Sequence, residues 1–254
     1  MQRGEALFVS VSCFAVMVIA QMYLLPGLLE APDHSDAGED RLAAYIQTSG
    51  LHLQALDEAL HRFRKFYPTA PLYVHNDGGG RAVRQLALLY RARDYTEAST
   101  AQSARPNGLY FRDPAGGTAY LERIAAAARL APWLLILEDD VWLYGRIRTS
   151  ELSYDINSKC DAHFAVPLGA LVSKSKGGMC YAPCGGSVLR SSRLLSANRT
   201  LAGVSEIMKH TTASDQLLSA TVLMGGGSIG AYGGYSETWW RFGVVILHHA
   251  KYAY

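Results

Sequence analysis

Three consecutive carboxylates, Glu138, Asp139 and Asp140, end an aliphatic run in the stretch LLILEDDVWL. Side by side at a strand tip, such groups repel one another unless a cation neutralises them. A hard divalent ion with oxygen ligands, Mg²⁺ or Mn²⁺, is the usual partner, and phosphate oxygens complete its shell. Another acid, Asp77, closes the run PLYVH and is followed by Gly78, Gly79 and Gly80 in HNDGGG. Asp and Gly also suit an ordinary tight turn, and solvated loop acids are the plain reading of any EDD triplet. Here both sets of acids terminate apolar runs, which favours a site.

Further candidates lie downstream. Gly185 and Gly186 precede a short apolar stretch in CGGSVLRSS, where they could equally form a bulge. Asp215 follows Ser214 in TASDQLL, where both residue types suit the first turn of a helix. The C-terminal HHAKYAY supplies His248, His249 and Lys251. Trp239, Trp240 and Tyr235 could stack on a sugar face or simply fill a core.

These residues need a scaffold, and the pattern between them describes one. Leu42–Thr48 reads as a strand. Leu53, Leu56, Leu60, Phe63 and Phe66 recur at helical spacing, and Pro68 ends that helix. Leu72–His75 reads as a second strand, RAVRQLALLYRAR and GGTAYLERIAAAARLA as helices, and PWLLIL as a strand buried on both faces. Strands alternating with helices predict an α/β fold with a parallel sheet, whose ligands bind at the carboxyl ends of the strands. The reading expects Leu72–His75 and Leu134–Leu137 to be neighbours in that sheet.

The chain has 254 residues and a net charge of +2 from 24 basic and 22 acidic side chains. The basic residues form no stripe, so nucleic acid is excluded as a partner. Residues 6–29 carry no charge and are long enough for a bilayer, which needs about 20 apolar residues. They are read as a signal anchor after a short tail, residues 1–5, with a cleaved signal as the alternative. An acidic stem, residues 30–41, and one domain, residues 42–254, follow. Either reading sends the domain into the secretory pathway. Cys160, Cys180 and Cys184 could then form one disulfide, in a pairing left open, while Cys13 sits in the anchor. Asn198 in NRT is a glycosylation sequon.

Taken in order, these motifs resemble nucleotide-sugar glycosyltransferases of the GT-A fold. LLILEDDVWL is similar to their metal-binding DxD element, and FRKFYPTAPLYVHNDGGG to their second strand beside the nucleotide. CGGSVLRSS is similar to the glycine pair before the strand lining the donor and acceptor site. SDQLLSATVLMGGGSIGAY is similar to the helix whose leading acid faces the acceptor, and HHAKYAY to the late histidine of the metal shell. The resemblance covers most of residues 42–254 and departs in having Glu138 at the first motif position.

It implies a single GT-A-like domain, with a mostly parallel central sheet flanked by helices, behind an N-terminal transmembrane helix. Asp140 and one of His248 or His249, His248 favoured, would bind Mn²⁺, with Mg²⁺ as the other candidate. Asp77, Gly78, Glu138, Asp139, Gly185, Gly186 and Lys251 would bind the nucleotide sugar. Asp215 would act as the base toward a glycan or glycoconjugate acceptor, and inversion and retention both stay open. The location implied is the Golgi membrane, single-pass, with the domain lumenal. The competing class is a membrane-anchored carbohydrate-binding protein that keeps the fold without catalysis. A phosphate-ester hydrolase would want ligands for two ions, which this set does not supply.

Overall fold

The computed structural model describes residues 42–97, 113–158, 182–183, 185–209, 214–236 and 243–248. Residues 6–29 therefore lie outside the described residues, and among the described ones no helix is long and apolar enough to cross a membrane.

Four strands open the domain: β1 (Leu42–Thr48), β2 (Leu72–Asn76), β3 (Asp94–Glu97) and β4 (Trp133–Leu137). They pair in parallel in the order β3-β2-β1-β4. Helices α1 (Leu53–Phe66), α2 (Gly80–Leu89) and α3 (Pro114–Ala128) connect them. The sheet continues through β7 (Val188–Arg190), β6 (Ile156–Ser158) and β8 (Ile229–Ala231), with β7 antiparallel to both of its neighbours. The architecture is thus α/β with a mostly parallel sheet.

The alternation of side chains explains why β1 and β4 stand at the centre. On β4, Leu134 and Ile136 enter one core layer with Ala43 and Tyr45 of β1. Trp133, Leu135 and Leu137 enter the other with Leu42, Ala44 and Ile46. A strand apolar on both faces loses least when helices cover both. The first layer is closed by α3 through Tyr120, Leu121 and Ile124, and the second by α1 through Leu56, Leu60 and Phe63. The buried stripe of α1 also includes Ala59, whereas Leu53 is exposed, so the expected stripe is shifted at its start. At its N-terminus α3 is capped by Asp113, whose carboxylate accepts from Gly116 N at 2.8 Å, with Pro114 in the first turn.

One sequence expectation fails here. Leu72–His75 and Leu134–Leu137 are parallel but not neighbours, because β1 lies between them. The α1 crossover lays β2 on one edge of β1, and the chain then returns through α3 to the other edge. The strand order therefore reverses between β1 and β4. In open α/β sheets that switch point is where a crevice opens at the strand ends.

The remaining elements of the described residues are a 3-10 turn (Thr149–Glu151), α4 (Ser191–Ser196), α5 (Leu201–Met208), α6 (Ser214–Met224) and a small separate sheet. That sheet orders β5 (Trp142–Leu143), β10 (Ile246–Leu247) and β9 (Tyr235–Ser236).

Candidate metal and donor site

The small sheet brings a C-terminal residue to the acidic tip. β5 and β10 run antiparallel with Leu247 opposite Trp142. One step further in that register sets His248 opposite Val141, beside Asp140. The backbone holds it there, since His248 N donates to Ser236 O at 2.9 Å. His248 Nε2 lies 3.4 Å from Glu138 Oε2 and 3.7 Å from Asp140 Oδ1. One ligand atom from each of Glu138, Asp140 and His248 falls within 4.8 Å of the others. Asp140 is 4% exposed and His248 5%, while Glu138 is half-buried and keeps the cluster open to solvent on one side. Two carboxylates facing one imidazole form a donor set that fits a divalent ion of the Mn²⁺ type. Asp139, between the two acids, is not one of the three.

The glycine pair forms a wall of this site. Gly186 N donates to Ile136 O and Ile136 N donates to Ser187 O, both at 2.8 Å, which lays residues 185–187 along the end of β4. A Cβ on Gly185 would stand 2.6 Å from Val141 Cγ2 and 3.0 Å from both Glu138 Oε2 and His248 Nε2. Only glycine fits against the cluster at that distance. Gly186 has φ +83° and lies under the Tyr235 ring, so it too is restricted to glycine.

Tyr235 is the residue whose role sequence reasoning missed. Its hydroxyl is 3.2 Å from His248 Nδ1. With Nδ1–H donating to that oxygen, Nε2 turns its lone pair toward the acids. No sequence signal marks this pairing, which depends on two-residue strands.

Asp77 occupies the carboxyl end of β2. It is buried, its backbone N donates to Thr48 O at 2.7 Å, and its Oδ2 accepts from Gln47 Nε2 at 3.2 Å. The registers Thr48↔Asn76 and Ile46↔Leu137 set residue 77 and the acidic tip at similar heights, on either side of β1. Asn76 shapes the glycine loop: its Oδ1 accepts from Gly79 N at 2.7 Å and its Nδ2 donates to Gly80 O at 3.0 Å. Gly78 takes φ +97° in that turn.

Asp215 lies in the first turn of α6 and is not part of the cluster, although its helix abuts the same wall. Ser219, one turn on, donates to Asp215 O at 2.7 Å and accepts from Ala182 N at 2.9 Å, three positions before Gly185. Asn198 is exposed between α4 and α5, and its Oδ1 accepts from the Thr200 hydroxyl at 2.8 Å. Lys251, His249, Trp239, Trp240, Cys13, Cys160, Cys180 and Cys184 lie outside the described residues.

No family model matches the chain. No curated protein matches it either. Solved structures do. The galactosyltransferase LgtC, in complex with donor and acceptor sugar analogs, aligns with a TM-score of 0.50 at 11% identity, over 81% of this chain and 86% of that one. Core-mannan synthase A (CmsA/Ktr4) of Aspergillus fumigatus, in an Mn/GDP form, aligns at 0.46 and 9% identity, over 76% and 72%. TarS 1–349 of S. aureus, in complex with UDP, aligns at 0.47 and 13% identity, over 82% of this chain and 60% of that one. At these identities the likeness is one of fold, and the fold this chain shares with LgtC is that of the GT-A glycosyltransferases.

Proposed function

We propose that the chain is a metal-assisted glycosyltransferase that moves a sugar from a nucleoside-diphosphate sugar to a hydroxyl of a glycan or glycoconjugate acceptor. The observation that carries this reading is the Glu138–Asp140–His248 cluster, two of its three members buried, at the carboxyl end of β4 and beside the switch point. A fold shared with a galactosyltransferase crystallised with donor and acceptor sugar analogs supports it.

Cleaving the sugar–phosphate bond leaves negative charge on the diphosphate, which a divalent ion held by Asp140, Glu138 and His248 would offset as a Lewis acid. The chain's own groups do the rest. Tyr235 fixes the ring of His248, and Gly185 leaves room for the ligand against the acids. Asp77 and the backbone of the Gly78 loop would take the nucleoside, and Lys251 a phosphate oxygen. Where Asp215 faces the acceptor hydroxyl, its carboxylate removes the proton during direct attack and the anomeric centre inverts.

In the same reading residues 6–29 anchor the chain, residues 42–254 lie in the Golgi lumen, and the exposed Asn198 carries a glycan. Protease protection of the domain in intact vesicles, and a mobility shift abolished by Asn198→Gln, are the expected results.

The full chain in detergent should release nucleoside diphosphate from one member of a panel of nucleotide sugars, with more release when Mn²⁺ is added. The rival, a carbohydrate-binding protein without catalysis, predicts glycan binding with no release from any donor.

A further inference from the structure

On the face of the sheet covered by α3, the Gln47 side chain links three elements. Its Nε2 donates to Asp77 Oδ2 at 3.2 Å. Its Oε1 accepts from the Tyr45 hydroxyl at 3.0 Å and from Arg123 Nη2 at 3.5 Å. Arg123 Nε also lies 3.5 Å from the Tyr45 hydroxyl. A guanidinium can only donate, so it selects which end of an amide faces it. The carbonyl of Gln47 must point to Arg123, and the NH₂ is thereby directed at Asp77. Reversing the amide would set NH₂ against guanidinium and carbonyl against carboxylate.

Asp77 depends on that arrangement. It is 7% exposed, and Gln47 is the described side chain that hydrogen-bonds its carboxylate, through Oδ2 alone. A buried carboxylate bonded through one oxygen has its plane set by that bond. The other oxygen, Oδ1, then has a defined direction in which to accept from an N–H or O–H group. Gln47 and Arg123 come from β1 and α3, outside the glycine loop and outside the metal cluster, and bear on the aim of Asp77 through the amide between them.

We propose that Gln47, oriented by Arg123, is a positioning residue for the nucleotide-sugar donor, holding Asp77 so that Oδ1 accepts a hydrogen bond from the nucleoside. This rests on the donor-site reading given above.

The test uses the full chain in detergent, with UDP and GDP as probes in the presence of Mn²⁺. Gln47→Leu should weaken binding of the preferred nucleotide by about 10- to 100-fold, the effect of a lost hydrogen bond to a charged group. The donor KM should rise with it, while acceptor KM and Mn²⁺ affinity hold. Arg123→Met, on a partly exposed helix position, should act in the same direction but more weakly. The decisive variant combines Gln47→Glu with Asp77→Asn. The new amide then donates to the new carboxylate, which still accepts from Arg123, and an amide oxygen is left facing the nucleoside. Each single change should lose affinity and the pair should recover most of it.

Two failures are distinguishable. If the wild-type chain binds neither UDP nor GDP, the donor-site reading fails and the positioning role with it. If it binds one of them, and Gln47→Leu or Arg123→Met with unchanged Tm binds equally well, the positioning role alone is overturned. Additive losses in the swapped pair would overturn it as well.

Discussion

His248 Nε2 lies 3.7 Å from Asp140 Oδ1, although the two residues are more than a hundred positions apart. Both are buried, and the antiparallel β5–β10 register, carried one step on, sets His248 opposite Val141, next to Asp140. A structural pair would tolerate loss of the aspartate charge, whereas a metal site would not. Asp140→Asn keeps the shape and removes the charge, so Tm should hold while nucleotide release falls by at least about 100-fold. Mn²⁺ titration followed by electron paramagnetic resonance should show weakened binding. Full activity in this variant would reduce the cluster to an ordinary buried acid–histidine contact.

Gly185 allows a second test, because its missing side chain leaves room for the site. Gly185→Ala drives a Cβ to 2.6 Å from Val141 Cγ2 and 3.0 Å from Glu138 Oε2 and His248 Nε2. Overpacking of this kind costs about 1–3 kcal/mol of stability. Adding Val141→Ala relieves the closest clash but not the two polar ones. The double variant should therefore regain most of the lost stability in urea unfolding and still bind Mn²⁺ weakly. Recovery of both together would mean that Gly185 serves packing alone.

Tyr235→Phe removes only the oxygen 3.2 Å from His248 Nδ1. Partners of a ligating imidazole of this kind change metal affinity by about 10- to 100-fold. Global stability should fall by only about 1 kcal/mol. An isothermal titration with Mn²⁺ beside a thermal melt separates the two effects, and an unchanged Mn²⁺ affinity would detach Tyr235 from the site.

How far the site can be read from sequence follows from the range of each interaction. The run LLIL ending in three acids is legible because burial on both faces demands an unbroken apolar strand, and β4 is that strand. The neighbour of β4 is not legible, since local patterning is silent on which long-range pair forms. β1 therefore separates two strands expected to touch. The approach of His248 to the acids is implied by the family resemblance and by nothing in the local pattern. What brings it there, a sheet of two-residue strands, is too short for any periodicity to reveal. Gln47 reads as the polar end of a strand, and only the fold sets it between Arg123 and Asp77.

His75 makes the stability of the fold depend on pH. It is buried on β2, with Nδ1 2.8 Å from the Thr96 hydroxyl. Burial, and secondarily the charge of Arg123, depress its pKa from 6.5 to about 4. The unfolded chain therefore takes up this proton before the folded one does. The stabilising contribution of the neutral ring is complete above pH 6.5, shrinks as pH falls from 6.5 to about 4, and is gone below that. Its upper bound is about 3 kcal/mol. His75→Gln keeps a polar partner for Thr96 and cannot titrate. Urea unfolding at pH 7 and pH 4 should show the wild-type chain losing about 2 kcal/mol more than the variant. Parallel losses would mean that His75 takes up its proton in the folded state as readily as in the unfolded one.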